Sequence, residues 1–128
     1  MLGGIFTKVN LICNIVDKST NECNTFKTKA IYQKDRIKYI YENDKYVLNI
    51  ISSKELILKR NTQEIESIIN FEESKITTSI YYMKQQNISL EIKILTKKII
   101  ISDKKIKILY TVIDSNIDYE FNIEMSDE

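Results

Sequence analysis

Arg60 is the side chain of this sequence best suited to bind an acidic group. It follows Leu56 and Leu58 in a period-two alternation, and a β-strand sends alternate side chains to opposite faces. Arg60 is therefore predicted to lie on the apolar face of its own strand, where its planar guanidinium can hold a carboxylate or a phosphate. The alternative is a structural arginine whose stem packs while its head reaches water or pairs with a carboxylate of the chain.

Tyr39, Tyr41 and Tyr81 are the other predicted ligand-binding residues, because they could line a pocket near Arg60. A few hydroxyls on an apolar wall are typical of small-molecule sites. The alternative is packing alone, with each ring buried and each hydroxyl at the surface. Tyr81 and its neighbour Tyr82 fall on opposite faces of one strand, so at most one of them points inward.

Residues for catalysis and for metal binding are scarce. The chain has no histidine and only two cysteines, which removes the usual general bases, catalytic triads and zinc sites. Glu72 and Glu73 fall in a predicted turn, whereas paired catalytic acids flank a cleft from separate elements. No glycine-rich phosphate loop is present. We therefore predict a non-enzymatic protein with no metal site and no cofactor.

The composition limits the class of protein and its partners. A chain of 128 residues with 43% apolar and 29% charged residues is typical of one globular domain, predicted over 1–128. The net charge of +1 gives no electrostatic footprint for nucleic acid or for an anionic membrane. No apolar run approaches a transmembrane length, and no basic residue precedes the N-terminal apolar stretch. The oligomeric state is left open.

The two cysteines are predicted to stay reduced, which fits a cytoplasmic protein. Cys13 lies in an apolar alternation and reads as a small buried side chain. If 18–21 form a hairpin turn, the antiparallel register puts Cys13 opposite Phe26 rather than opposite Cys23. A disulfide between the two thiols is therefore not expected.

Period-two alternation runs through nearly the whole chain. The sequence has 25 isoleucines, no proline and two glycines, which favours strands whose turns come from Asn, Asp, Lys and Ser. The best helical rival is NTQEIESIIN at 61–70, which Asn61 would cap, but a strand is preferred there. The predicted strands, about ten, are 6–17, 24–33, 37–42, 46–50, 54–60, 65–71, 76–82, 88–94, 98–102, 105–113 and 117–125. Residues 1–5 are predicted to be a loose lead-in and 126–128 a frayed tail.

Successive hairpins indicate an up-and-down antiparallel meander, since short turns join antiparallel neighbours. A meander of this length either exposes its edges or closes on itself, and closure removes the edges. The fold predicted is all-β, a single antiparallel up-and-down barrel of about eight to ten strands. The interior of such a barrel holds side chains or one small ligand, and Arg60 and the three tyrosines would lie in it or at its mouth.

Three segments carry a resemblance to a known family. They are AIYQKDRIKYIYEN at 30–43, ELILKRNTQEIESIINFE at 55–72 and TTSIYYMKQQNISLEIKILTKK at 77–98. In their order and key positions they resemble the YwiB-like family of small bacterial proteins, a domain of unknown function. The resemblance implies a calycin-type (lipocalin-like) β-barrel, with its key positions on Tyr39, Tyr41, Arg60, Ile65, Phe71 and Tyr81. This chain departs from the family where glycine is usual, at Asn61 and Thr62, and in the loop at 83–86.

Two functions are compatible with these observations. The first is a cytoplasmic, non-enzymatic barrel that binds a small apolar ligand, with an acidic group met by Arg60. The second is a structural or protein-interaction module whose barrel is packed and holds no ligand. An open lumen favours the first function, and a filled interior with an exposed apolar patch favours the second.

Overall fold

The computed structural model describes residues 7–128, and over that range the chain forms one closed antiparallel barrel. The predicted lead-in at 1–5 lies outside the described residues. The strands in this part of the chain are β1 (Thr7–Asp17), β2 (Glu22–Gln33), β3 (Arg36–Tyr41), β4 (Asp44–Ser52), β5 (Glu55–Asn61), β6 (Ile65–Glu72), β7 (Lys75–Met83), β8 (Ile88–Ile101), β9 (Lys105–Val112) and β10 (Ile117–Asp127).

Each strand pairs with its neighbours in sequence, and β1 pairs with β10 to close the barrel. The predicted all-β, up-and-down topology is confirmed. The segment 61–70 is a turn followed by β6, not a helix, because Ser67 and Phe71 must both face the interior, where each is almost fully buried. A helix would have rotated these two side chains onto different faces.

Two predicted strands, 88–94 and 98–102, are one strand in the structure. Strand β8 is continuous, and its register against β9 shifts between Thr96 and Lys98. This bulge moves the interior positions from even to odd residue numbers, so that Ile94 and Ile99 are both buried. The change of phase looks like a strand break in the sequence. The tail prediction at 126–128 is also wrong, because Ser126 and Asp127 continue β10 by pairing with β1.

The turns use no glycine or proline in the described residues. Left-handed backbone conformations occur instead at Asn21, Lys34, Glu42, Asn43, Ser74, Asn87 and Asn116. Asparagine is the residue besides glycine that tolerates this region best. Glu42 and Asn43 both have positive φ in the two-residue connection between β3 and β4, as a type I′ hairpin turn requires. The predicted source of the turns is therefore confirmed in these residues.

The register around the cysteines agrees with the sequence. Cys13 pairs with Phe26, and Cys23 pairs with Val16. Both thiols are free, Cys13 in the core and Cys23 at the surface.

The middle of the barrel is filled by side chains. Eight apolar side chains there expose 0 or 1% of their surface: Leu11, Cys13, Ile37, Leu48, Leu56, Phe71, Ile108 and Ile123. A side chain with no accessible surface touches no water-sized space, either inside or outside the protein. At this level the interior is therefore a packed core and not a lumen.

Candidate functional site

A row of polar and aromatic side chains crosses the interior near one end of the barrel, where the β3–β4, β5–β6 and β7–β8 hairpins turn. The cross-strand pairs Tyr39–Tyr46, Tyr46–Arg60, Arg60–Ser67 and Ser67–Tyr81 run through strands β3 to β7 at one level. Period-two alternation puts all five on the inward face of their strands. We call this set the inner row.

Arg60 lies at the centre of the inner row and has a partner from the same chain. Its Nη2 donates a hydrogen bond to Asp44 Oδ2 at 3.0 Å, and its guanidinium lies 5.7 Å from the centre of the Tyr46 ring. Burial opposes the positive charge, but the hydrogen bond to Asp44 and the nearby Tyr46 outweigh it, so the pKa of Arg60 is above its usual value. Within the described residues Arg60 Nε is buried without a hydrogen-bond partner.

Tyr39 and Tyr41 fill space between strands. The rings of Tyr39 and Tyr46 stack with centroids 4.8 Å apart, and those of Tyr41 and Phe26 with centroids 4.0 Å apart. Tyr39 exposes 4% of its surface and its hydroxyl bonds with the Cys13 thiol, and burial raises the pKa of Tyr39 strongly. Tyr39 is thus part of the core, while Tyr41 is half-buried at the edge of the inner row.

Tyr81 faces two further tyrosines across the interior. Tyr110 stacks on Tyr119 with ring centroids 5.4 Å apart, and Tyr81 is close enough to both to affect their ionisation. Burial is the main cause of the raised pKa of Tyr81 and of Tyr110. All three hydroxyls therefore stay protonated at neutral pH and can donate hydrogen bonds.

The structure brings all four predicted site residues to one end of the barrel. It adds Asp44, Tyr46, Tyr110 and Tyr119, which the sequence analysis did not single out. Tyr46 shares the inward phase of Leu48 and Ile50, and Tyr119 that of Phe121, so alternation was a usable signal for both. The pairing of Asp44 with Arg60 had no such signal, because the two residues are 16 positions apart.

Beneath the inner row the core is packed, so this end of the barrel admits at most a small molecule or one end of a larger one. No group of acidic or sulfur ligands among residues 7–128 is placed to hold a metal ion. In the same range, no helix has the length and apolar character needed to cross a membrane.

The outer surface of the same strands carries a second feature. The pairs Ile31–Lys38, Lys38–Val47, Val47–Lys59, Lys59–Ile68 and Ile68–Ile80 form one transverse row on strands β2 to β7. We call these six residues the outer row. Ile31, Ile68 and Ile80 expose 40 to 45% of their surface, and Ile40, beside the row, exposes 58%.

This surface is concave. One hollow of about 820 Å³ lies over β2 to β4 and another of about 590 Å³ over β4 to β7, and they share Lys45 and Val47. Together they make one groove whose floor is largely aliphatic and whose sides carry lysines.

The groove is basic although the whole chain is nearly neutral. The outward positions of β2 to β5 carry six cations and one anion, namely Lys27, Lys29, Arg36, Lys38, Lys45 and Lys59 against Glu55. Among residues 7–128, Lys38, Lys45 and Lys59 take part in no ion pair. Acidic residues gather instead on the outer side of β10, at Asp118, Glu120 and Glu124.

The fold is shared with a solved structure. The crystal structure of the ywiB protein from Bacillus subtilis superposes with a TM-score of 0.74 over 96% of this chain and 93% of that chain, at 20% sequence identity. An identity this low shows a common fold and nothing of function. A scan against protein-family models and a search of the curated proteins each found no match. The barrel implied by the family resemblance is confirmed.

Proposed function

We propose that this barrel is a protein-interaction module that binds its partner in the outer groove. The observation that carries the proposal is the outer row, in which exposed aliphatic side chains alternate with lysines that have no ion-pair partner. A contiguous exposed apolar patch with a polar rim is typical of an interaction surface. The packed middle of the barrel supports this choice over a ligand carrier with a deep lumen.

The chemistry of the groove favours an acidic protein segment with aliphatic side chains. Lys38, Lys45 and Lys59 are free to pair with carboxylates, and complementary charges guide association and set the orientation of the partner. Isoleucine floors exclude water from apolar side chains but give nucleobases no aromatic surface on which to stack. A protein partner therefore suits this surface better than a nucleic acid does.

The proposal is tested by crosslinking in the cells of the host. A photoreactive p-benzoylphenylalanine replaces Ile68 in the outer row or, as the matched control, Ile100 on β8, which is 46% exposed and outside the groove. We expect one discrete protein adduct from position 68 and none from position 100. Lys38→Glu with Lys59→Glu should reduce the adduct at least about tenfold, because both charges would then repel an acidic partner.

Two results would reject the interaction module. One is equal crosslinking from positions 68 and 100, which is what random collisions produce. The other is an adduct that survives the double charge reversal, since it would show that the lysines of the groove take no part in binding.

A second candidate function rests on the inner row. Arg60 has five N–H donors, and the structure shows one hydrogen bond from them, to Asp44. A small molecule with a carboxylate or phosphate could occupy the remaining donors, with Tyr81 beside it and Tyr39 and Tyr41 forming the wall behind. Calycin-type architecture, a cytoplasmic location and the absence of catalysis belong to this proposal as they do to the first.

Native mass spectrometry of protein purified from its host tests this second candidate. A bound ligand adds a constant mass, and Arg60→Gln should remove it. Arg36→Gln is the control, because Arg36 lies on the outer surface and bonds only Asn49 among the described contacts of its side chain. The bare protein mass in every preparation would reject the ligand.

A further inference from the structure

The strand ladder between β2 and β3 is incomplete. It covers four pairs, from Gln33–Arg36 to Ala30–Tyr39, and stops there. Strand β2 itself continues back to Glu22, with its other side fully paired to β1. Counting onward from Ala30–Tyr39 puts Phe26 level with Asn43, at the tip of the short β3–β4 hairpin. The residues of β2 before Phe26 therefore extend past that tip.

The part of β2 beyond the ladder is an exposed edge with free main-chain groups. Gln33 and Arg36 close a two-residue turn as a hydrogen-bonded pair, and main-chain groups of a strand point alternately to its two neighbours. Counting back by twos, the N–H and C=O groups of Cys23, Thr25 and Lys27 point to the β3 side. An open edge of this kind is a template for another strand.

The side chains around this edge suit an extended segment that alternates acidic and apolar residues. On the outer face Lys27 is exposed and in no ion pair among the described residues, and Lys45 stands across the gap. On the inner face the stacked rings of Phe26 and Tyr41 provide an apolar surface. Thr28 Oγ1 already donates to Ile40 C=O at 2.8 Å and so marks the inner limit of the gap.

We propose that the partner is held by strand addition, with an extended acidic–aliphatic segment pairing against the Cys23–Lys27 edge of β2. The segment then continues into the outer groove, which begins at Thr28 and Lys29. This inference rests on the proposed function, because it assigns a binding mode to the same partner. Main-chain hydrogen bonds would supply affinity, and alternate side chains would supply specificity.

Synthetic peptides test the binding mode without any change to the barrel. The probe is the capped heptapeptide Glu-Val-Glu-Val-Glu-Val-Glu, compared with Lys-Val-Lys-Val-Lys-Val-Lys and with a glutamate peptide whose valines carry N-methyl groups. N-methylation removes donors from one edge of the peptide and leaves charge and side chains unchanged. Binding is followed by amide chemical shifts and by amide hydrogen exchange at each residue.

The expected result is that the glutamate peptide shifts and protects the amides of Cys23, Thr25 and Lys27. The N-methylated peptide and the lysine peptide should each bind at least about tenfold more weakly. Equal binding of the methylated peptide, or shifts confined to Ile68 and Ile80, would overturn strand addition and leave the groove proposal standing. Protection of the same amides without peptide, in a dimer that forms at high concentration, would overturn it in favour of a second copy of this chain.

Discussion

The thiol of Cys13 gives the most direct test of whether the barrel is filled. Cys13 has no accessible surface, pairs with Ile123 on one side and with Phe26 on the other, and bonds with the Tyr39 hydroxyl. Burial raises the pKa of Cys13 from 9.0 to about 12. Because maleimides react with the thiolate, the folded state should hold about 1,000-fold less reactive Cys13 than an unshifted thiol would provide.

The assay is alkylation with N-ethylmaleimide at about pH 8, followed by intact mass spectrometry. Cys23→Ser leaves Cys13 as the thiol to be measured, and Cys13→Ala leaves the exposed Cys23 as the comparison. In native buffer Cys13 should react at least about 1,000-fold more slowly than Cys23. In concentrated guanidinium chloride the two rates should converge. Native rates within tenfold of each other would refute the packed interior and restore an open lumen.

The same shift gives a pH dependence of stability. An acid whose pKa is higher in the folded state keeps its proton there, while the unfolded thiol loses its proton near pH 9. The stabilising contribution is therefore complete below about pH 9 and declines as the pH rises toward about 12. Cys13→Ala should make the unfolding free energy less sensitive to pH over this range. An unchanged alkaline slope would contradict the burial of the thiol.

Three further changes test the core, the ion pair and the acid limb of stability. Phe71→Ala should lower the free energy of unfolding by about 3–5 kcal/mol, and Ile100→Ala by less than about 1 kcal/mol, as measured by urea denaturation. Asp44→Ala should cost about 1 kcal/mol because the pair with Arg60 is partly exposed. A double-mutant cycle with Arg60→Leu should recover most of that loss. The pKa of Asp118 is lowered by hydrogen bonds from a threonine hydroxyl and a lysine ammonium. Its contribution is present above pH 3.8 and lost as the pH falls further, so Asp118→Asn should flatten the acid limb of thermal melts. Equal losses at positions 71 and 100, additive losses in the cycle or an unchanged acid limb would each contradict the corresponding contact.

The distribution of charge matters more for function here than its total. Nineteen basic residues nearly balance eighteen acidic ones, and that balance gives no indication of a charged binding surface. The fold separates the signs, with the lysines of β2 to β5 on one flank and the carboxylates of β10 on another. The proposed partner is acidic because of this separation and not because of the net charge.

The candidate site was partly predictable from local pattern. Arg60 follows two leucines at alternate positions, and the structure places it on the inward side of β5, paired through its main chain with Tyr46 and Ser67. Its partner, Asp44, was not predictable. The length of the β3–β4 turn decides which residue of β4 stands level with Arg60, and a change of one residue would move every side chain of that strand to the other face.

The sequence by itself determined the strands, their turns and the inward and outward faces, because these depend on a period of two and on turn residues close in the chain. Thus Cys13 was matched with Phe26, and Arg60 was placed inside, without coordinates. Only the tertiary structure decided that β1 closes on β10, that β8 continues through a bulge and that the core leaves no lumen. It also lined up Lys38, Val47 and Lys59 from three strands. These features depend on register and closure, which many distant residues set together and which no local period encodes.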